Sequence, residues 1–186
     1  VMHSSALRFG KVVLLLAALA APLLVGACGS EKQYTVQERL DRAREARSEG
    51  ELRRAILELK NALKENPDSA AARYLLGQIY IDMEDGVAAE KELTVARNLG
   101  VDAEAIVVPM AQAWLLQAEY EKVIEQVAIS VNLPAGTQAA LHVVHGDAYT
   151  GMQQWEDAKK SYTRALELDA NNPLVYVGLG NLAMIQ

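Results

Sequence analysis

A spacing of 34 residues constrains this chain more than any other feature. Ala55, Leu59 and Ala62 in ELRRAILELKNAL return 34 positions later as Ala89, Leu93 and Ala96 in VAAEKELTVARNL. Ala158, Tyr162 and Ala165 follow after a further 69, two periods plus one. Gly77 and Tyr80 in LLGQIY return 69 later as Gly146 and Tyr149 in HGDAYT, and Gly146 returns 34 later as Gly180 in GLGNLA. Ala111 and Trp114 hold the intervening places, 34 after Gly77 and Tyr80. The extra residue is assigned to the loop NLPAGT, Asn132 to Thr137. A fixed period of this length means that one supersecondary unit is copied. No copy can bury its apolar face alone, so the copies must stack.

Each copy reads as helix, with apolar residues three and four apart. The helical pattern runs from Val36 to the end of the chain. VAISV, Val127 to Val131, comes nearest to strand alternation and is read as the end of a helix. Small residues at Gly77, Ala89, Gly146 and Ala158 let two antiparallel helices approach, and Leu59, Leu93 and Tyr162 fill the space beside them. Gly50 and Pro67 mark turns. Asp68 or Ser69 in ENPDS, and Asn172 ahead of Pro173 in DANNP, are candidate helix caps. Aromatic residues make up only 5% of the chain, which favours helices packed through small side chains over a β-sandwich. The expected fold is all-α, a solenoid of antiparallel helix pairs.

Two helices in about 34 residues is the pattern of the tetratricopeptide repeat (TPR). Leu76-Gly77-x-x-Tyr80, Ala89-x-x-x-Leu93 and Tyr176-x-x-Leu179-Gly180 resemble the motif positions of that family. The first unit keeps Ala55-x-x-x-Leu59 and Pro67 but has Arg42-Ala43 in place of Leu-Gly. The third has Val123-x-x-x-Val127 and lacks a clear closing proline. The resemblance covers residues 36–186, with units near 36–69, 70–103, 104–138 and 139–172 and a partial unit 173–186. It implies a concave groove lined by the first helix of each pair. Helical phase carries that lining onto Arg44, Arg47, Tyr74, Gln78, Asp82, Gln112, Leu116, Asp147 and Asn181. The mix is amphipathic and suits an extended peptide or a partner helix. A groove serving packing alone stays open as an alternative.

The first 27 residues read differently. Arg8 and Lys11 precede an apolar run, VVLLLAALAAPLLV (Val12 to Val25), and small residues Gly26 and Ala27 end it; no acid occurs before Glu31. These are the three parts of a secretory signal. The run of 14 residues is shorter than the roughly 20 that cross a bilayer, and it contains Pro22. Val25-Gly26-Ala27-Cys28 resembles the bacterial lipobox. That resemblance implies a signal peptide over 1–27, diacylglycerol on the Cys28 thiol, and a tether over 28–35 that holds the chain at a membrane. A spanning helix is the alternative. Gly29 follows the cysteine where inner-membrane retention favours Asp, which points to the outer membrane and a periplasm-facing array in the bacterial cell envelope.

Cleavage before Cys28 would leave 16 basic against 24 acidic residues, a net charge of −8. Nucleic acid, whose phosphates attract basic patches, is a poor partner for such a chain. One cysteine allows no internal disulfide. His142 and His145 are three apart with Asp147 nearby, but they lack a third ligand or a nucleophile at a fixed place. No phosphate-binding glycine loop, HExxH or GxSxG occurs. The reading is therefore no catalytic residues, no metal, no cofactor and no small-molecule substrate, with protein or peptide partners instead. Trp114 is expected to fill the place of Tyr80 one unit on, and Trp155 to pack on the preceding helix. The run LDRAREARSEGELRR, Leu40 to Arg54, is read as a solvated face with opposite charges three and four apart.

A closer resemblance lies in ELRRAILELKNALKENPDSAAARYLLGQIY and DGVAAEKELTVARNLGV. These phrases are similar to the opening units of the large TPR lipoproteins (PrsT-like) of the PEP-CTERM/exosortase system of Gram-negative bacteria. That resemblance implies an envelope scaffold assisting exopolysaccharide export or protein sorting. Alternatives are a pilotin-like TPR lipoprotein for type IV pilus assembly and the front of an enzyme whose catalytic domain lies beyond residue 186. GLGNLAMIQ stops inside what should be the first helix of a pair, so the chain is expected to be the front of a longer repeat protein.

Overall fold

The computed structural model describes residues 33–185. The signal segment, Cys28 and the tether up to residue 32 lie outside the described residues. The rest is helix and turn: α1 (Val36–Ser48), α2 (Leu52–Glu65), α3 (Ala70–Asp82), α4 (Gly86–Asn98), α5 (Ala103–Leu116), α6 (Tyr120–Gln126), α7 (Ala135–Gly151), α8 (Trp155–Leu168) and α9 (Pro173–Ile185). Consecutive helices pair as hairpins, α1 with α2 through α7 with α8. Each odd-numbered helix also touches the next odd-numbered one, whereas even-numbered helices meet only odd-numbered neighbours among the described residues. The stack therefore curves with its odd helices inside. No helix among the described residues is long and apolar enough to cross a membrane.

The hairpin turns show the repeat at atomic level. Gly50, Glu84, Ala118 and Gln153 all sit at positive φ, between 57° and 76°. Their spacings are 34, 34 and 35 residues, so the extra residue lies between Ala118 and Gln153, the interval that holds NLPAGT. At each turn the next residue donates its N–H to a carbonyl five positions back: Glu51 to Ala46 (2.8 Å), Asp85 to Tyr80 (2.9 Å), Glu119 to Trp114 (2.9 Å) and Gln154 to Tyr149 (2.8 Å). This closes the helix end in a Schellman turn, which needs a left-handed residue. Only the first turn supplies glycine.

Caps fix the other ends. Ser69, rather than Asp68, caps α3 by accepting from Ala72 N–H (3.3 Å), and Asn172 accepts from Leu174 N–H (3.1 Å) ahead of α9. Thr35 and Glu38 form a reciprocal capping box at α1.

Between helices of a hairpin the small residues permit contact. A Cβ on Gly77 would stand 2.7 Å from Leu93 Cγ, and one on Gly146 2.5 Å from Tyr162 Cε1. Tyr162 also lies against Gly178 of α9, so its ring is held between two inner helices. Gly180, the recurrence of Gly146, meets nothing within 4 Å.

Three expectations are corrected. VAISV does not end a helix: α6 stops at Gln126, and Val127 is extended (φ −104°, ψ 90°). Alternation places Val127 and Ile129 against the core while Ala128 and Ser130 face solvent. A helix would turn half of those β-branched residues outward. The freed Val127 carbonyl accepts from His145 Nε2 (3.0 Å) on α7. Helix α7 begins at Ala135, so AGT of NLPAGT is its first turn and the fourth pair starts ahead of residue 139.

The charged run Leu40–Arg54 is not simply a solvated face. Leu40, Ala43 and Ala46 are buried, and Arg42 reaches across to Glu58 on α2 (2.7 Å), as does Arg39 (3.2 Å). Arg73 pairs with Glu92 (2.7 Å), 34 residues after Arg39 and Glu58. Both glutamates are buried, so the pairs tie the two helices of a hairpin together. In the third unit the equivalent positions carry Val107 and Gln126, and a different network holds α6. Glu90 of α4 accepts from Trp114 Nε1 (2.7 Å), Gln117 Nε2 (2.9 Å) and Lys122 Nζ (2.8 Å), and Lys122 lies 4.7 Å over the Trp114 ring. Burial pushes the Glu90 carboxyl up, but these donors outweigh it and leave its pKa below the ordinary value. Trp114 thus packs between two core clusters, while Trp155 packs against the last one.

A left-handed residue with a side chain costs about 1–2 kcal/mol. Ala118→Gly is expected to stabilise the array by about 1 kcal/mol, and Gly50→Ala to destabilise it by a similar amount. Thermal unfolding checks both, with shifts of about 2–4 °C in opposite directions. A lowered Tm for Ala118→Gly would contradict the turn assignment.

Candidate protein-binding groove

The inner helices carry most of the residues that helical phase assigns to a groove, and the structure brings several of them together. Arg47 on α1 donates from Nε and Nη2 to both oxygens of Asp82 on α3, and from Nη1 to Gln78 Oε1 (3.0 Å). The bidentate geometry fixes the Arg47 plane and ties α1 to α3. Arg44 is exposed and pairs along its own helix with Asp41 (2.7 Å). Tyr74 on α3 reaches the next inner helix, its hydroxyl donating to Ala105 O (3.1 Å).

Farther along, Gln112 on α5 is half-buried between Ala111 and Ala113, which are fully buried. Asp147 on α7 and Asn181 on α9 are exposed. Leu116 stands apart from them. Its Cβ is 2.8 Å from where a Cβ on Gly86 would lie, which puts it over the start of α4 at the hairpin-turn edge.

Asp147 differs electrostatically from Asp82. It has no ion-pair partner among the described residues, and its Oδ1 accepts from Tyr162 OH (2.6 Å). Although Asp147 is exposed overall, the helix packing beside it partly desolvates the carboxylate and raises its pKa above the ordinary value, and the Tyr162 hydrogen bond opposes that rise. Tyr162 is itself pushed up by burial and by the bond to Asp147. A carboxylate kept where its charge is disfavoured costs stability, as groups retained for binding do.

His145 is half-buried, and burial lowers its pKa, so the ring is neutral at pH 7 and serves to pin Val127. His142 is lowered by burial and then by Arg164. No group of three or more His, Cys, Asp or Glu among the described residues is placed to hold a metal ion.

Sequence reading missed the pairing of Arg47 with Gln78 and Asp82 and the partnership of Asp147 with Tyr162. A signal existed for the first: an arginine of the first unit lies 31 and 35 residues before Gln78 and Asp82, one helix over in the stack.

The Asp147 arrangement has a pH signature. A raised carboxyl pKa leaves the folded state unpenalised below the unfolded value, about 3.9, and penalised above the folded value. Asp147→Asn keeps an acceptor for Tyr162 and removes the charge. Urea unfolding is expected to show the variant more stable at pH 7 by no more than about 0.5 kcal/mol, given solvent screening on the open side. The difference should vanish at pH 3. A variant less stable at pH 7 would contradict this account.

Comparison with known proteins agrees with the geometry. Two family models match, one described as tetratricopeptide repeat over residues 46–115 and one as TPR repeat over 146–184. Together they span more than half of the chain. The crystal structure of a thermophilic TPR protein of Thermus thermophilus superposes with a TM-score of 0.62 at 20% identity, covering 81% of this chain and 82% of that one. At that identity the likeness speaks to fold alone. No curated protein matches the chain. The repeats found by family model, the recurring turns and the hairpin stack lead to one conclusion: this chain belongs to the tetratricopeptide-repeat proteins, helical scaffolds that bind protein partners.

Proposed function

We propose that the chain is a lipid-anchored adaptor of the bacterial envelope. Lipid on Cys28 holds it at the outer membrane facing the periplasm, and the inner face of the array docks proteins of exopolysaccharide export or PEP-CTERM sorting. The observation that carries this reading is the order of parts. A short apolar run ends in Val25-Gly26-Ala27-Cys28, a polar tether follows, and the helical array begins at Val36. Two or more acyl chains give stable anchoring, whereas one gives only marginal binding. The similarity of the first two units to PrsT-like lipoproteins supports the choice of export or sorting machinery. The groove residues Tyr74 and Gln78 lie on α3, flanked by inner helices on both sides, as α5 and α7 also are.

A strain carrying only Cys28→Ala is expected to move the protein from the membrane pellet to the soluble fraction and to lower exported exopolysaccharide. Retention after carbonate washing would replace the lipid with a spanning helix, and unchanged export would remove the export role. Affinity capture from crosslinked cells tests the groove separately. The double change Tyr74→Ala, Gln78→Ala is expected to reduce partner recovery about tenfold, the loss of one or two anchor contacts. Equal recovery would discard the groove.

A further inference from the structure

Helix α2 carries an exposed stripe that no other outer helix repeats. Arg53, Leu57, Lys60 and Lys64 are spaced four, three and four residues apart. At 3.6 residues per turn they fall within an arc of about 60°, opposite the buried Ala55, Leu59 and Ala62. All four are exposed, Leu57 at 60%. Arg53 and Lys60 have no hydrogen-bond or ion-pair partner among the described residues, and Lys64 donates only to the neutral Asn61 (3.3 Å). The other five basic residues of this hairpin, Arg39, Arg42, Arg44, Arg47 and Arg54, are all spent on carboxylates. The acids that flank the stripe in sequence, Glu51 and Glu65, are themselves held by Arg54 and Arg39.

At the same phase the second outer helix has Val87 and Lys91, the third Glu121 and Glu125, and the fourth Glu156 and Glu167. The whole array shows the same polarity. Residues 36–65 hold eight basic and seven acidic residues, a net of +1, whereas residues 66–186 hold seven and sixteen, a net of −9. The stripe also begins where the tether enters. Arg39 near the start of α1 pairs with Glu65 at the end of α2 (3.0 Å), so Lys64 lies beside the entry to the array. Residues 28–35 span at most about 26–29 Å when extended, which keeps this hairpin close to whatever surface holds Cys28. Free cations on long aliphatic stems around an exposed leucine are the make-up of a helix that lies on an anionic bilayer.

We propose that the outer face of α2 rests on anionic phospholipid headgroups of the membrane that carries the anchor, through Arg53, Lys60 and Lys64, with Leu57 reaching into the headgroup layer. This rests on the lipid-anchor reading above and adds an orientation to it. Each cation near such a surface tightens the contact about fivefold. The acidic remainder of the array is repelled by the same surface within a Debye length of about 8 Å, so the stack is turned away from the bilayer. An acidic protein offers the same charge, but the place of the stripe beside the tether favours the bilayer, which the anchor already holds at high effective concentration.

The test uses the full chain, purified from a bacterial host and reconstituted in vesicles of phosphatidylcholine alone or of phosphatidylcholine and phosphatidylglycerol at about two to one. A water-soluble acetylating reagent, read by mass spectrometry, reports the exposure of each lysine. Relative to Lys159 on α8, Lys60 and Lys64 are expected to react about three- to fivefold more slowly in the anionic vesicles than in the neutral ones. Salt at about 1 M, where the Debye length falls to about 3 Å, should restore their reactivity. The double change Arg53→Gln, Lys60→Gln should restore that of Lys64, with helical circular dichroism unchanged. Equal reactivity in both kinds of vesicle, or protection that survives high salt, would overturn the proposal. Protection in intact cells but not in anionic vesicles would also overturn it and assign the stripe to an acidic protein. The mass of the peptide holding Cys28 reads the anchor separately: an unmodified thiol refutes the lipid, while the reactivity of Lys60 and Lys64 still decides the stripe.

Discussion

Close approach of the two helices in each hairpin is the constraint on which the rest depends. Ala55, Ala89 and Ala158 are fully buried on the even helices, and Gly77 and Gly146 face Leu93 and Tyr162 at distances no Cβ could accept. A large side chain at either glycine would push the partner helix out and tilt every unit beyond it. Overpacking of this kind costs about 1–3 kcal/mol, more than the roughly 1 kcal/mol that alanine gains over glycine in a helix. The close contact therefore outweighs helix propensity. Tyr162 extends the same logic between units, because Gly146 and Gly178 both lie against its ring.

The array is not uniform along its length. The first two hairpins are stitched by Arg39 and Arg73 to buried Glu58 and Glu92. The third loses that pair, shortens its second helix to α6 and leaves VAISV outside any helix, with Val127 extended. Glu90, with Trp114, Gln117 and Lys122, takes over the task of holding the short helix. The left-handed turns at Glu84, Ala118 and Gln153 store strain that glycine would relieve. A one-dimensional stack tolerates such local weakness because each unit leans mainly on its neighbours.

Curvature converts this packing into a surface. With odd helices inside, residues at one phase of α3, α5, α7 and α9 line up across the stack. Arg47 and Asp82 close the polar positions at the first end of the array. Beyond α3 the same positions are left with unmet hydrogen-bonding capacity. The inner face therefore changes character from self-satisfied to open within one molecule.

The 34-residue recurrence by itself determined helix pairs, stacking and the close-contact residues, and turn chemistry marked the caps as Asp68 or Ser69 and Asn172. These follow from local chemistry: helical spacing of apolar groups, small residues at fixed phase, and side chains that bond their own backbone. Tertiary structure alone decided the fate of VAISV, whose Val127 and Ile129 face a core that exists only once α7 is in place. It also decided which charges meet, since Arg39 and Glu58 are 19 residues apart and Arg47 and Asp82 are 35 apart. Charge pairs across helices depend on the packing angle and register of elements distant in sequence, and no local pattern encodes either.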